Sequence, residues 1–327
     1  MKFFDAIKEK IAKIPLFSTS SSRYRSFFRS SSRSNNNYYN GWVYTAVSKI
    51  AEEVGGIQLK LFKTDSKGNV EQVFTHPALE LLAKANDYMT QYDIFERCQA
   101  NQELHGNEYW YIQYAGKLPV AIYPLNPNSV SPVPGKFEYV DHYKYRVEGS
   151  DTAIPKENIL QFKPFNPYSD IVGISTLSAA RLAADTDIFA RQYNKKYFEN
   201  DARPDVILKT EDTMTPENER KLLAAWHQKH GGPSRQFRTA VASGGLEIEA
   251  FQQSQRDMEF LEGRKFNRDE IMAIFGVPLA IVGFTGNETY ASAKAATYSF
   301  GTRTITPKMN RIVNTLNAHY LKLFPNT

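Results

Sequence analysis

His227 and His230 stand three residues apart in a segment of helical periodicity, a spacing that would bring two imidazoles to one side as metal ligands. No Cys, Asp or Glu follows at ligand spacing, and the His-Glu-x-x-His pattern of a zinc-protease helix is absent. Gly55-Gly56, Gly231-Gly232 and Gly244-Gly245 could let backbone amides approach a phosphate. None leads into the lysine and Ser/Thr of a phosphate loop, and each is explained as a helix stop or a hairpin turn. Gly173-Ile174-Ser175 lacks the second glycine of a nucleophile elbow. Cys98, the single cysteine, has Glu96, Arg97 and Gln99 for neighbours and no histidine to activate it. It can form no internal disulfide, which fits a reducing, intracellular origin. Carboxylates are plentiful, and a glycosidase-like pair among them stays open on sequence alone. The balance is against an enzyme, with no metal and no cofactor expected.

The polar run Phe284-Thr285-Gly286-Asn287-Glu288-Thr289-Tyr290 reads locally as an ordinary surface loop. Its place sets it apart: it closely follows a long polar helix, and a helical pattern resumes at Ala291 with Ala293, Lys294, Ala296, Thr297 and Phe300. The preceding helix, expected over Gln253 to Phe275, carries Arg256, Asp257, Glu259, Glu262, Arg264, Lys265, Arg268, Asp269 and Glu270. It has little apolar surface before Ile271. At 1.5 Å per residue it would extend roughly 35 Å. A helix polar nearly all round does not belong in the core of a monomer. Packed beside copies of itself or beside a partner helix, its opposite charges can pair across subunits while one face meets water.

That partner is expected at Thr176 to about Asn200, with Ala179, Ala180, Ala183 and Ala184 at one end and Phe189, Tyr193 and Tyr197 at i, i+4 spacing at the other. Between the two helices the pattern predicts strand Val206 to Leu208 and helix Pro216 to Lys229, then strands Arg238 to Ala242 and Glu247 to Phe251. Two antiparallel helices bracketing a β-α-β-β unit make a stalk with a tip. Upstream, the periodicity predicts a helix at Trp42 to Val54 and strands at Ile57 to Phe62 and Val70 to Phe74. Helices follow at Pro77 to Ala85 and Gln91 to His105, the second capped by Thr90 with Asp93. Strands are then expected at Glu108 to Tyr114, Val120 to Tyr123, Phe137 to Val147 and Ile159 to Phe165. The fold class is α+β.

The charge is uneven. Residues 1–40 hold eight Lys/Arg and two Asp/Glu, so the other 287 residues, with 32 basic and 33 acidic groups, carry a net charge of −1. The pI near 9.0 therefore belongs to the N-terminal arm. Tight grip on nucleic acid comes from many Lys/Arg contacts to phosphates, and the body lacks that excess. Within the arm, Phe3, Phe4, Ile7, Ile11 and Ile14 describe a short amphipathic helix suited to docking on a partner, with a membrane-surface anchor as the second reading. Ser18 to Ser34, nine serines and four arginines in seventeen residues, reads as a flexible basic linker. No secretion signal and no membrane-spanning run is expected.

The run Phe260 to Gly283, FLEGRKFNRDEIMAIFGVPLAIVG, resembles the signature of HK97-type phage portal proteins. Weaker matches stand in the same order along residues 41 to 323: Trp42 to Val54, His76-Pro77, Gly106-Asn107-Glu108-Tyr109, Pro124-Leu125-Asn126-Pro127, Gly173-Ile174-Ser175-Thr176-Leu177, Tyr197-Phe198-Glu199-Asn200 and Thr306-Pro307. The resemblance implies a portal-protein fold with a mixed α/β wing, a two-helix stem and a small β-α-β-β clip. It divides the chain into a basic arm (1–40), wing (41–172), first stem helix (173–202), clip (203–251), second stem helix (252–277), tunnel loop (278–297) and a return helix to the wing (298–327), with the family's C-terminal crown expected to be missing.

It implies a homo-oligomeric ring, dodecameric in the virion, at one capsid vertex, assembled in the host cytoplasm. The implied partners are the large terminase, a head-tail connector protein, capsid and scaffold proteins, and double-stranded DNA passing without sequence preference; no membrane partner is implied. By position, Asn287, Glu288, Thr289, Tyr290 and Lys294 would face the DNA, and Arg256, Glu259, Glu262, Arg264, Lys265 and Arg268 would lie between subunits in the stem. Two other readings compete: a phage-particle-associated hydrolase, which needs carboxylates or histidines clustered in one pocket, and a basic-tailed nucleic-acid-binding protein, whose affinity would reside in residues 1–40.

Overall fold

The structure, a computed structural model, describes residues 38–199, 206–209, 215–218, 220–221, 224, 247–250, 254–284 and 289–324. For 196–199, 206–209, 247–250 and 254–261 the backbone alone is described. Residues 1–37 of the basic arm, His227, His230, the expected strand at Arg238 to Ala242, Asn287 and Glu288 lie outside the described residues. The chain divides into two compact units, Met1–Leu182 with Asp269–Thr327, and Ala183–Arg268.

The first unit opens with helix α1 (Gly41–Gly55), which buries Val43, Ala46, Val47, Ile50, Ala51 and Val54 at helical spacing. A hairpin follows, β1 (Leu61–Thr64) and β2 (Val70–Val73), paired antiparallel. Asp65 holds its turn: the side chain accepts hydrogen bonds from the amides of Lys67 and Asn69, both at 2.8 Å. The first strand begins four residues later than the apolar run Ile57 to Phe62 suggests, because the register is set from the turn outward. Helix α2 (Pro77–Ala83) starts on a His76 cap, and α3 (Gln91–His105) on the Thr90/Asp93 capping box that the sequence predicts. Helix α3 packs along α1.

Strands β3 (Glu108–Ala115), β4 (Leu118–Leu125) and β8 (Ile159–Phe162) form one antiparallel sheet in the order β4-β3-β8. A second sheet, β5-β6-β7, uses Val130–Val133, His142–Val147 and Ser150–Pro155. Alternation along β3 explains the layering. Trp110 turns to one side, against Phe95 of α3 and Phe162, with ring centroids at 5.6 and 4.5 Å. Tyr109 turns to the other and joins Leu125, Val130, Tyr143, Tyr145 and Ile154 in a second buried cluster.

Two strands escape the sequence reading, and β8, which stops at Phe162 rather than Phe165, and the strand expected from Phe137 are shorter than expected. Strand β5 contains Pro132, which is tolerated because β5 is an edge strand. Strand β7 (SDTAIP) carries little apolar alternation and is held by its register with β6. The expected strand from Phe137 starts only at His142; Phe137 is 90% exposed, in a turn where the Gly135 amide donates to the Glu138 carbonyl.

The C-terminal part of this unit is a nearly continuous helical run. Helix α6, numbered after the two long helices α4 (Thr176–Glu199) and α5 (Ser254–Phe275), covers Tyr290–Ser299. A π-helical stretch (Phe300–Ile305), helix α7 (Thr306–Thr315) and a second π-helical stretch (Leu316–Tyr320) follow. Phe300, Ile305, Met309, Ile312, Leu316 and Tyr320 are buried along it. The Tyr320 hydroxyl donates to the Ala78 carbonyl at 2.9 Å and Lys308 pairs with Glu103 of α3, so this run is tied to α2 and α3.

In the second unit, β9 (Val206–Lys209) pairs antiparallel with β10 (Glu247–Ala250). Residues 216–218, 220–221 and 224 are helical, within the helix expected from Pro216. Helices α4 and α5 match the two long helices expected from the sequence to within a residue at each end. Among the described residues, no helix is long and apolar enough to cross a membrane.

Candidate functional site

The segment that leaves α5 is shaped by two left-handed glycines. Gly276 (φ 72°) ends the helix, and its carbonyl accepts from the Thr304 hydroxyl at 2.7 Å. Pro278 opens a 3-10 turn, Leu279–Val282, which Gly283 (φ 86°) closes. Phe284 then sets its ring edge on Trp42 of α1 at 5.5 Å. After residues 285–288, Thr289 caps α6 by accepting from the Ser292 amide at 3.3 Å. Of the residues expected to face DNA, the structure thus places Thr289, Tyr290 and Lys294 on the first turns of a helix. Tyr290, Lys294 and Tyr298 recur at i, i+4 and i+8, all exposed, with the tyrosines 85% and 74% accessible. Lys294 is the single charged group on α6. Such a surface can touch a passing polyanion, but has one cation with which to hold it.

Of the residues expected between subunits, Arg256 and Glu259 fall on the part of α5 described by backbone alone. Glu262 and Lys265 are exposed, and Arg268 is half-buried. Arg264 has an attachment within its own chain that sequence reasoning did not foresee: its Nε lies 3.2 Å from Oδ1 of Asp187 on α4. The other carboxylate oxygen of Asp187 faces Arg191 Nε at 3.1 Å, and the Asp187 side chain is 3% exposed. A carboxylate withdrawn from water is tolerable here because two guanidinium groups meet it.

A second constellation joins two motifs distant in sequence. Gly106 ends α3 in the left-handed conformation (φ 74°), its amide donating to the Gln102 carbonyl. The side-chain oxygen of the buried Asn107 accepts from the Gly173 amide at 3.0 Å and from Gln161 Nε2 at 2.9 Å. Gln161 also donates to the Ile171 carbonyl at 3.0 Å and accepts from the Tyr143 hydroxyl at 3.1 Å. Gly106-Asn107 and Gly173-Ile174-Ser175 thus meet across 66 residues and hold the chain just before α4. Gly173 is an architectural glycine, as its missing elbow partner suggested.

Next to this knot Glu108 is fully buried. Burial raises its pKa from 4.5 to about 7, and the Arg97 guanidinium at 4.0 Å, Asn101 at 2.6 Å, Trp110 and the Tyr109 amide only partly oppose that. A folded-state pKa above the unfolded value means the native state binds more protons between these limits. The stability is then fully present below about pH 4.5 and lost as pH rises through 7. Half-buried His105, lowered to about 4 by desolvation, acts in the opposite sense over an overlapping window. The Glu108 contribution is therefore read as a difference: Glu108→Gln is expected to gain about 3 kcal/mol over wild type between pH 4.5 and 8 in denaturant titrations, with no change at pH 4. A constant offset across pH would sink this assignment.

Neither constellation has the form of a catalytic site. Burial pushes the Cys98 thiol well up, which leaves it inert, and among the described residues no three His, Cys, Asp or Glu side chains gather to hold a metal ion.

Comparison with known proteins covers nearly all of the described chain. The family model for phage portal proteins matches residues 42–327. The portal protein of Enterobacteria phage HK97 is 26% identical over 247 residues, 74% of this chain and 57% of that protein, so the chain spans little more than half of its length. Among solved structures, a chain in the virion of a native gene transfer agent particle superposes with a TM-score of 0.69 at 25% identity, covering 91% of this chain and 82% of that one. A chain from the neck of an empty gene transfer agent particle, computed with C6 symmetry, gives 0.68 at 25% identity, covering 88% and 80%.

Proposed function

The chain belongs to the phage portal protein family, a structural rather than enzymatic family, and from that premise we propose that it is the subunit of a ring through which double-stranded DNA enters and leaves a capsid. The observation that carries this reading is the likeness to a chain of a symmetric particle neck, over most of both chains. In this reading residues 41–172 and 298–327 form the wing, 173–202 and 252–277 the stem, 203–251 the clip and 278–297 the tunnel loop. Asn287, Glu288, Thr289, Tyr290 and Lys294 face the channel. The ring, dodecameric in the particle, sits at one capsid vertex and is assembled in the host cytoplasm. Terminase docks on it during packaging, connector proteins later bind the clip, and capsid and scaffold proteins surround it.

The charge distribution supports passage over grip. Beyond residue 40 the net charge is −1, and the described part of the channel-facing segment offers one lysine. A surface that bound phosphates tightly would stall a moving duplex. Negative-stain microscopy of the purified full chain tests the proposal. Rings with an open axial channel are the expected result, and a population of monomers under every assembly condition would overturn it.

A further inference from the structure

We propose that Phe189 and Tyr193 on α4 of one copy seat against Phe266 on α5 of the next copy, making one head-to-tail contact repeated around the ring. The inference rests on the ring reading above and deepens it to a pair of surfaces. Within the second unit the two long helices are joined by the buried Asp187–Arg264–Arg191 cluster, and Ala183, Ala184 and Asn267 are buried too. The aromatic groups lie elsewhere. Phe189 is two residues from Asp187 and Phe266 two residues from Arg264, which at roughly 100° per residue turns each away from the ion cluster. Phe189, Tyr193 and Phe266 are 68%, 51% and 68% exposed. A helix pair that buries its ions and exposes its aromatic rings is inverted relative to a free-standing hairpin.

A second copy is the occupant that fits this inversion. A ring closes by heterologous contacts, in which one surface of each subunit meets a different surface of the next. This unit carries two such surfaces, one on each helix. Phe189 and Phe266 each stand about 200° round their helix from the ion cluster that joins the two helices, so the surfaces lie on opposite outer sides of the pair, as a head-to-tail repeat requires. Aromatic side chains are also the residues that most often dominate protein contacts.

The test uses full-length Phe189→Glu and Phe266→Glu, each followed by sedimentation velocity and negative stain under conditions in which the wild type forms rings. Both side chains are exposed, so under conditions that keep all three proteins monomeric the thermal midpoints are expected to match wild type. Each variant alone is expected to remain monomeric, its self-association weakened on the order of a hundredfold or more. Mixed in equal amounts, the two should give heterodimers and nothing larger, because one retains its α5 surface and the other its α4 surface. Wild-type rings together with unaffected variants overturn the contact while leaving the ring reading standing. Dimers formed by either variant alone overturn the head-to-tail pairing. Wild-type protein that stays monomeric overturns the ring reading and this contact with it. If a glutamate variant loses its thermal transition, Phe189→Ser and Phe266→Ser are read by the same criteria.

Discussion

Substituting Gly106 by alanine is expected to cost about 4 kcal/mol of stability, far more than a comparable change at another left-handed glycine. Two penalties coincide at this position. At φ 74° a side chain is strained by roughly 1–2 kcal/mol. A Cβ there would also stand 2.6 Å from the Gly173 carbonyl oxygen, with the backbone of Ile174 and Ser175 at 2.7 Å. Backbone on both sides cannot yield as the end of a flexible side chain would, so about 2–3 kcal/mol of overpacking is added. Gly68 isolates the first penalty: its φ is 85°, and a Cβ added there would have nothing within 4 Å, so Gly68→Ala should lose only about 1–2 kcal/mol. Gly173→Ala isolates the second, because its Cβ would run into the Gly106 carbonyl and Pro164 without a positive φ. Denaturant midpoints of the three variants decide the matter. A Gly106→Ala loss no larger than that of Gly68→Ala would mean that the two motifs do not approach as described.

Lys308→Met is expected to destabilise the first unit by roughly 3–5 kcal/mol, because it strands a buried carboxylate. Glu103 is 1% exposed; Lys308 reaches it from α7 at 2.5 Å, and Gln99 Nε2 donates to the same oxygen. An exposed ion pair would lose less than about 1 kcal/mol on the same substitution, since water would receive the freed charge. The pair Glu103→Gln/Lys308→Met removes both charges and should recover most of the loss. The measurement is a double-mutant cycle on unfolding free energy. A Lys308→Met loss under about 1 kcal/mol, or no recovery in the double variant, would show that the pair is not buried as described. This pair fastens α7, and with it the helical run that continues from α6, to α3.

The elements themselves were largely legible, because their signals are local. The Thr90/Asp93 capping box fixes the start of α3 through bonds three residues apart, and Gly106 fixes its end. The polar character of α5 and the apolar spacing of α1 likewise need only one turn of helix to be visible. Strands β5 and β7 were not legible, since one carries an edge proline and the other owes its conformation to a neighbouring strand. Within the candidate site, Thr289, Tyr290 and Lys294 could be named from their position after α5, but the α6 stripe that Tyr290 and Lys294 share with Tyr298 emerged only with the helix.

By itself, then, the sequence determined the fold class, the two long helices, the uneven charge and the family, all of which depend on residue types and short spacings. Only the tertiary structure decided which of these residues meet. Asn107 bonds to Gly173 across 66 residues, Arg264 to Asp187 across 77 and Lys308 to Glu103 across 205. Arg264 shows the difference most plainly: its place on a polar helix suggested a charge waiting for another subunit, while the fold brings a buried aspartate of its own chain within 3.2 Å. Periodicity records which face of an element is apolar, but a buried ion pair is stable only where the chain's path brings both charges out of water together.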